Sequence, residues 1–189
     1  METWLKEQLK YGLGHGLPAL LRYPFVPKTS AELARFREKT GGMVHGICRP
    51  SEDYAQLVGA GIGWVREGVT FPTEDDGSLR DEFKQDVERF RRFRANGLKV
   101  LAITPSVGFF LQRGIDPRTP EGEARVREIA RTIITELRDV VDGLQICNEI
   151  GIPRFGHPLC MREAVRFLGV QAEAMAPHKG NVIVGYNSV

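Results

Sequence analysis

The sequence predicts an α/β protein with a parallel sheet, and three observations carry that reading. Short runs rich in Val, Ile and Leu alternate with longer helical stretches four times before a fifth apolar run closes the pattern. No hairpin signal joins consecutive runs, so each strand returns through a helix. Polar residues collect at the C-terminal ends of several runs, which favours a length of (β/α)8 TIM barrel over an open doubly wound sheet. The turn after the first run also lacks G-x-G-x-x-G and G-x-x-x-x-G-K-S/T, the nucleotide signatures of the open class. The chain is expected to supply about the first four to five β/α units. Strands one to five fall in residues 41–189, behind an N-terminal extension at residues 1–40.

In that extension Trp4, Leu5, Leu9 and Leu13 form a loose helical stripe that Gly12, Gly14 and Gly16 break. Pro18, Pro24 and Pro27 follow, and Ser30 is placed to cap a short helix carrying Leu33 and Phe36. The expected role is packing across a barrel end or an outer face.

The regular pattern starts after Gly41. Met43–Cys48 reads as the first strand, and Pro50-Ser51 opens a helix with Tyr54, Leu57 and Val58 on one side. Gly59 and Gly61 end it, and Ile62–Val69 is the second strand, followed by a polar loop over Thr73–Gly77. Leu79, Phe83, Val87, Phe90 and Phe93 then recur at steps of three and four, the clearest helix in the chain, with Asn96-Gly97 as its stop. Leu98–Thr104 is nearly continuous in apolar residues, as a sheet covered on both faces requires.

A loop through Pro105, Gly108, Gly114 and Pro117 carries Phe109 and Phe110, expected as a hydrophobic plug. Thr119-Pro120 begins a helix with Val126, Ile129, Ala130, Ile133, Ile134 and Leu137 on its buried face. Leu144–Asn148 is the fourth strand and ends in a Gly/Pro loop. A helix over Met161–Met175 points Val165, Leu168 and Ala172 inward, and Asn181–Val189 is the fifth strand. A whole barrel takes about 250 residues and eight strands. The expectation is therefore a piece, completed by the same parent chain, another chain or a second copy.

Composition excludes several classes. The net charge of +2 is too small to argue for nucleic acid. No apolar run approaches the roughly 20 residues that cross a bilayer, so no membrane partner is expected. Charges in the first eight residues do not suit a signal peptide, which argues for the cytoplasm. The three cysteines, Cys48, Cys147 and Cys160, show no metal-site spacing and are expected as small buried residues. Neither a metal nor a cofactor is expected.

At the C-terminal strand ends stand His45, Arg66 with Glu67, Thr104, Asn148 with Glu149, and Tyr186 with Asn187. A cation, a carboxylate, amides and an aromatic hydroxyl meeting at one barrel mouth form a convergent polar group. His157 and Arg154, in the loop after the fourth strand, are further candidates near a bound ligand.

Trp64-Val-Arg66 at the second strand and Gln145-Ile-Cys-Asn148-Glu149 at the fourth resemble the amino-terminal half of a clan A glycoside hydrolase. That retaining barrel group includes cellulases, mannanases and β-xylosidases, and the resemblance spans about residues 41–189. It implies hydrolysis of O-glycosidic bonds in β-linked carbohydrates by double displacement, with an oligosaccharide or glycoside as substrate. It implies Glu149 as general acid/base, Asn148 as the contact to the sugar 2-hydroxyl, and Arg66 as the group that orients the nucleophile. His45, Tyr186 and Asn187 join them as substrate-binding candidates.

The chemistry suits these types, because one carboxyl must give the leaving oxygen a proton and then activate water. Two departures stand out. The family's nucleophile lies on a seventh strand, and Ile103-Thr104-Pro105 stands where many members carry a histidine. Strict alternation would also send Asn148 and Glu149 to opposite faces unless the strand twists out or bulges there. Two rival functions remain: an inactive carbohydrate-binding or scaffold protein, and a metal- or phosphate-dependent barrel enzyme with Glu149 and His45 as ligands.

Overall fold

The computed structural model describes residues 41–43, 53–59 and 61–187, all within the unit Arg37–Val189. The expectations for residues 1–40, for His45 and for Cys48 lie outside the described residues. In chain order the elements are β1 (Gly41–Met43), α1 (Asp53–Gly59), β2 (Trp64–Gly68), α2 (Asp81–Ala95), β3 (Lys99–Ile103) and α3 (Val107–Leu111). Then come α4 (Pro120–Leu137), β4 (Gly143–Gln145), α5 (Pro153–Gly156), α6 (Met161–Met175) and β5 (Ile183–Gly185).

All five strands pair parallel, in the order β1-β2-β3-β4-β5. A doubly wound sheet reverses its order at a switch point, whereas these strands follow the chain without reversal, as in a barrel wall. Register sets Gly68 beside Ile103, Ile103 beside Gln145, and Gln145 beside Gly185. The residues following β2 to β5 therefore gather on one rim.

Alternation sorts the strand side chains onto two faces. Val65, Val100, Ala102 and Leu144 lie under the helices with at most 1% exposure. Arg66, Leu101, Ile103 and Gln145 share the other face. On that face β5 presents Ile183, which is 73% exposed.

Helix α2 forms where the apolar stripe predicted it and buries Phe83, Val87, Phe90 and Phe93. Its Asn96-Gly97 stop is real, with Gly97 at φ 82°, a conformation that favours glycine. Asp86 is buried on the same face because both of its oxygens are bonded. One accepts from the Thr70 backbone N–H at 2.7 Å and from its hydroxyl at 2.8 Å, and the other pairs with Arg89 at 2.9 Å. This clamp fixes the loop after β2 to its helix. One antiparallel bridge, Thr73 with Leu79, closes that loop.

Helix α4 starts at Thr119, whose hydroxyl accepts from the Gly122 N–H at 3.0 Å, with Pro120 in the first turn. The six apolar residues expected on its inner face are all buried, and α4 packs on α6. In α6 the expected face is only partly right. Leu168 is buried, but Val165 is 61% exposed and Ala172 also faces outward. The helix instead buries Ala164, Phe167, Gln171, Ala174 and Met175. Phe167 meets Phe110 edge-on at 5.2 Å, and Phe110 meets Phe71 at 5.1 Å. Burying a phenyl ring of 150–250 Å² outweighs burying a valine, so the aromatic sets the rotation of the helix.

Phe110 is thus the plug the sequence suggested, while Phe109 is 49% exposed. The loop carrying both contains the short helix α3. Cys160 also departs from expectation, being exposed. It caps α6, with its N–H held by Glu163 at 2.8 Å.

Candidate active site at the end of the fourth strand

Strand β4 is shorter than the expected Leu144–Asn148 and ends at Gln145. The ladder extends a little further, through Thr104 N–H to the Gln145 carbonyl at 2.9 Å and Ile146 N–H to the Gly185 carbonyl at 2.7 Å. Extended backbone then stops. Cys147 has φ 55° and Glu149 has φ 45°, a left-handed conformation that costs a non-glycine residue about 1–2 kcal/mol. This break resolves the alternation problem, because Asn148 and Glu149 no longer obey strand geometry. Both are half-buried rather than split between core and solvent.

The side chain of Cys147 turns inward. Its backbone N–H donates to the Thr104 hydroxyl at 2.9 Å. Its sulfur lies 3.4 Å from the Pro105 carbonyl and 3.8 Å from Nε2 of the fully buried Gln171. Burial pushes the thiol from 9.0 up to about 11, against smaller downward effects of Gln171 and Thr104. It is a support beneath the turn rather than a nucleophile. Thr104 serves there too and is buried.

Above this layer Gln145 ties the strand ends together. Its Oε1 accepts from Arg66 Nε at 3.1 Å and Nη2 at 2.9 Å. Its Nε2 donates to the Cys147 carbonyl and to Asn187 Oδ1, both at 2.7 Å. These partners fix which way the amide points, since Arg66 only donates and a carbonyl only accepts. Arg66 Nη2 also donates to Asn148 Oδ1 at 2.6 Å. Asn187 Oδ1 accepts a second bond, from the Glu149 backbone N–H at 2.9 Å.

The structure therefore brings Arg66, Asn148, Glu149 and Asn187 together. Among the described residues no ion pair involves Glu149, so its carboxylate is not a rim partner of Arg66 or Arg154. Glu67 stands apart on the opposite face of β2, 3.6 Å from Arg89 beneath α2. Tyr186 is 66% exposed beside the site. Arg154 lies over the neighbouring Phe155 ring at 5.4 Å, and His157 is exposed. Gln145 received no role from the sequence. A glutamine at the last inward position of a barrel strand is the signal, because a buried polar side chain must find partners. Among the described residues no three His, Cys, Asp or Glu side chains converge as metal ligands would.

Neither a protein-family profile nor a curated protein sequence matches this chain. Solved structures do. A GH5-4 broad-specificity endoglucanase from Clostridium longisporum superposes with a TM-score of 0.55 at 16% identity, over 81% of this chain and 55% of its own. The GH53 catalytic domain from Ignisphaera aggregans gives 0.52 at 15% identity, over 87% and 53%. A GH5_18 enzyme from Bifidobacterium longum, in complex with Manb1-4GlcNAc, gives 0.52 at 19%, over 71% and 37%. At such identities the likeness is one of fold: the chain has the parallel α/β architecture of part of a TIM-barrel glycosidase. It spans about half the length, or less, of these structures.

Proposed function

We propose that this chain forms the acid/base half of a retaining glycoside hydrolase acting on β-linked carbohydrates, with Glu149 as the general acid/base. The observation that carries the reading is the pairing of Asn148 and Glu149, both half-buried on one turn at the mouth of the strands, with Asn148 held by Arg66. The fold likeness to glycosidases supports the substrate class.

The chemistry then runs in two displacements. A carboxylate about 5 Å from Glu149 attacks the anomeric carbon, the glycosidic bond breaks, and the departing oxygen takes the Glu149 proton. Glu149, now a carboxylate, removes a proton from water as that water attacks the same carbon and releases the enzyme ester. With Asn148 Oδ1 occupied by Arg66, its Nδ2 is the group turned toward a sugar hydroxyl. Tyr186 and His45 are proposed sugar contacts. The nucleophile is proposed to come from polypeptide beyond these residues, in the same parent chain, another chain or a second copy. The open inner face at Ile183 and the partial coverage of the structural neighbours support this.

The test is hydrolysis of an aryl β-glycoside by the isolated chain and by the completed barrel. Glu149→Gln is expected to lower kcat by about 10²–10⁴, the usual share of general acid–base catalysis. Undiminished turnover in that variant would remove Glu149 from the mechanism. Sugar binding with no hydrolysis by the completed barrel would instead identify a carbohydrate-binding protein on the same fold.

A further inference from the structure

We infer that Gln145 and Asn187 are positioning residues, a relay of two amides that holds the Glu149 turn and the Asn148 side chain in their working pose. The argument starts from the backbone. Once β4 stops at Gln145, the Glu149 N–H lies outside the ladder, and a half-buried N–H must find an acceptor. It finds Asn187 Oδ1 at 2.9 Å. An amide oxygen takes two hydrogen bonds, and the second comes from Gln145 Nε2 at 2.7 Å.

Gln145 is in turn fully committed. It is 7% exposed, its oxygen takes two bonds from Arg66, and its nitrogen serves Asn187 and the Cys147 carbonyl. The Cys147 carbonyl and the Glu149 N–H flank Asn148, so the relay grips both ends of the left-handed turn. Arg66 also grips the Asn148 side chain directly. Residues on β2, at the end of β4 and just after β5 thus fix one turn that local sequence would not adopt. A site built this way needs little reorganisation when charge develops.

The role assigned to Asn187 rests on its oxygen, which is spent on two protein donors. Its catalytic meaning rests on Glu149 being the acid/base. The hydrogen bond itself is measurable without any hydrolysis, so failure of one leaves the other standing.

The experiment is amide hydrogen exchange at Glu149 in the full chain, comparing wild type with Asn187→Leu and Asn187→Asp. The control amide is Val100, bonded to Asp142 at 2.9 Å at the opposite end of the sheet. Leucine fills the same space without an acceptor and is expected to speed Glu149 exchange about tenfold, one hydrogen bond's worth, with Val100 unchanged. Aspartate keeps the acceptor and is expected to restore protection, which mere packing would not do. If Asn187→Leu fails to fold, Asn187→Ala is read the same way.

In the completed, active barrel, Asn187→Leu is expected to lower kcat with KM held. A rise in KM in both Asn187→Leu and Asn187→Asp would mark a substrate contact and overturn the assignment. Wild-type exchange at Glu149 as fast as an exposed amide, or equal protection in all variants, would overturn it too.

Discussion

Glu149 occupies a backbone conformation that suits glycine, and this makes a quantitative test of the turn possible. Its φ of 45° costs a residue with a Cβ about 1–2 kcal/mol. Replacing it by glycine removes that strain but gives the unfolded chain more freedom, a loss of roughly 0.5–1 kcal/mol relative to alanine. The informative comparison is therefore Glu149→Gly against Glu149→Ala. Both variants lack the carboxylate, and both keep the backbone N–H that Asn187 accepts from at 2.9 Å. The difference left over favours glycine by about 0.5–1 kcal/mol. For a domain of this size that corresponds to about 1–4 °C in Tm. Thermal unfolding of the two purified variants, followed by far-UV circular dichroism, reads it directly. An alanine variant at least as stable as the glycine variant would refute the argument that the turn is strained. The expected result also implies that glutamate stands there for its carboxyl group and at a cost to stability.

Cys147 and Cys160 should part company chemically. At pH 8 a thiol alkylator is expected to label the exposed Cys160 and spare Cys147, whose thiol is buried and raised to about 11; mass mapping checks this. Between pH 9.0 and about 11 the folded chain keeps that proton while the unfolded chain loses it. Stability is therefore intact below pH 9 and falls by up to about 3 kcal/mol across that window. Denaturant midpoints should show the fall in wild type and a flatter profile in Cys147→Ala. A Cβ on Gly156 would collide with the Ile150 carbonyl oxygen. Gly156→Ala is expected to cost about 1–3 kcal/mol by thermal unfolding and to shift the Glu149 amide resonance, since the loop behind the site must move.

The scaffold was legible where one physical signal dominated. The Phe83–Phe93 stripe and the Thr119-Pro120 start need only helical periodicity and capping chemistry, and α2 and α4 follow them. The order of strands and helices was equally readable, and with it the meeting of Arg66 and Asn148 at one end of the sheet. What escaped depends on contacts distant in sequence. Nothing in Ile146–Glu149 signals a left-handed turn, since the cause is Thr104, Gln171 and Asn187, tens of residues away. Gln145 reads as one more strand residue until Arg66, Cys147 and Asn187 are placed around it. The face of α6 was misjudged because Val165 and Ala172 fit the helical period as well as Phe167 does. Only the aromatic cluster with Phe110 chooses between them.

The unbroken strand order has a consequence for how the polypeptide acquires its shape. Each strand finds its partner one β/α unit upstream, so every loop closed during assembly is short on the scale of the chain. A nascent chain leaving the ribosome can lay each new strand against the one just made, with no need to await a distant segment. The Glu149 turn is the exception. It is complete only after Asn187 emerges, thirty-eight residues later, so the Glu149 carboxyl is set in place at the close of that zippering.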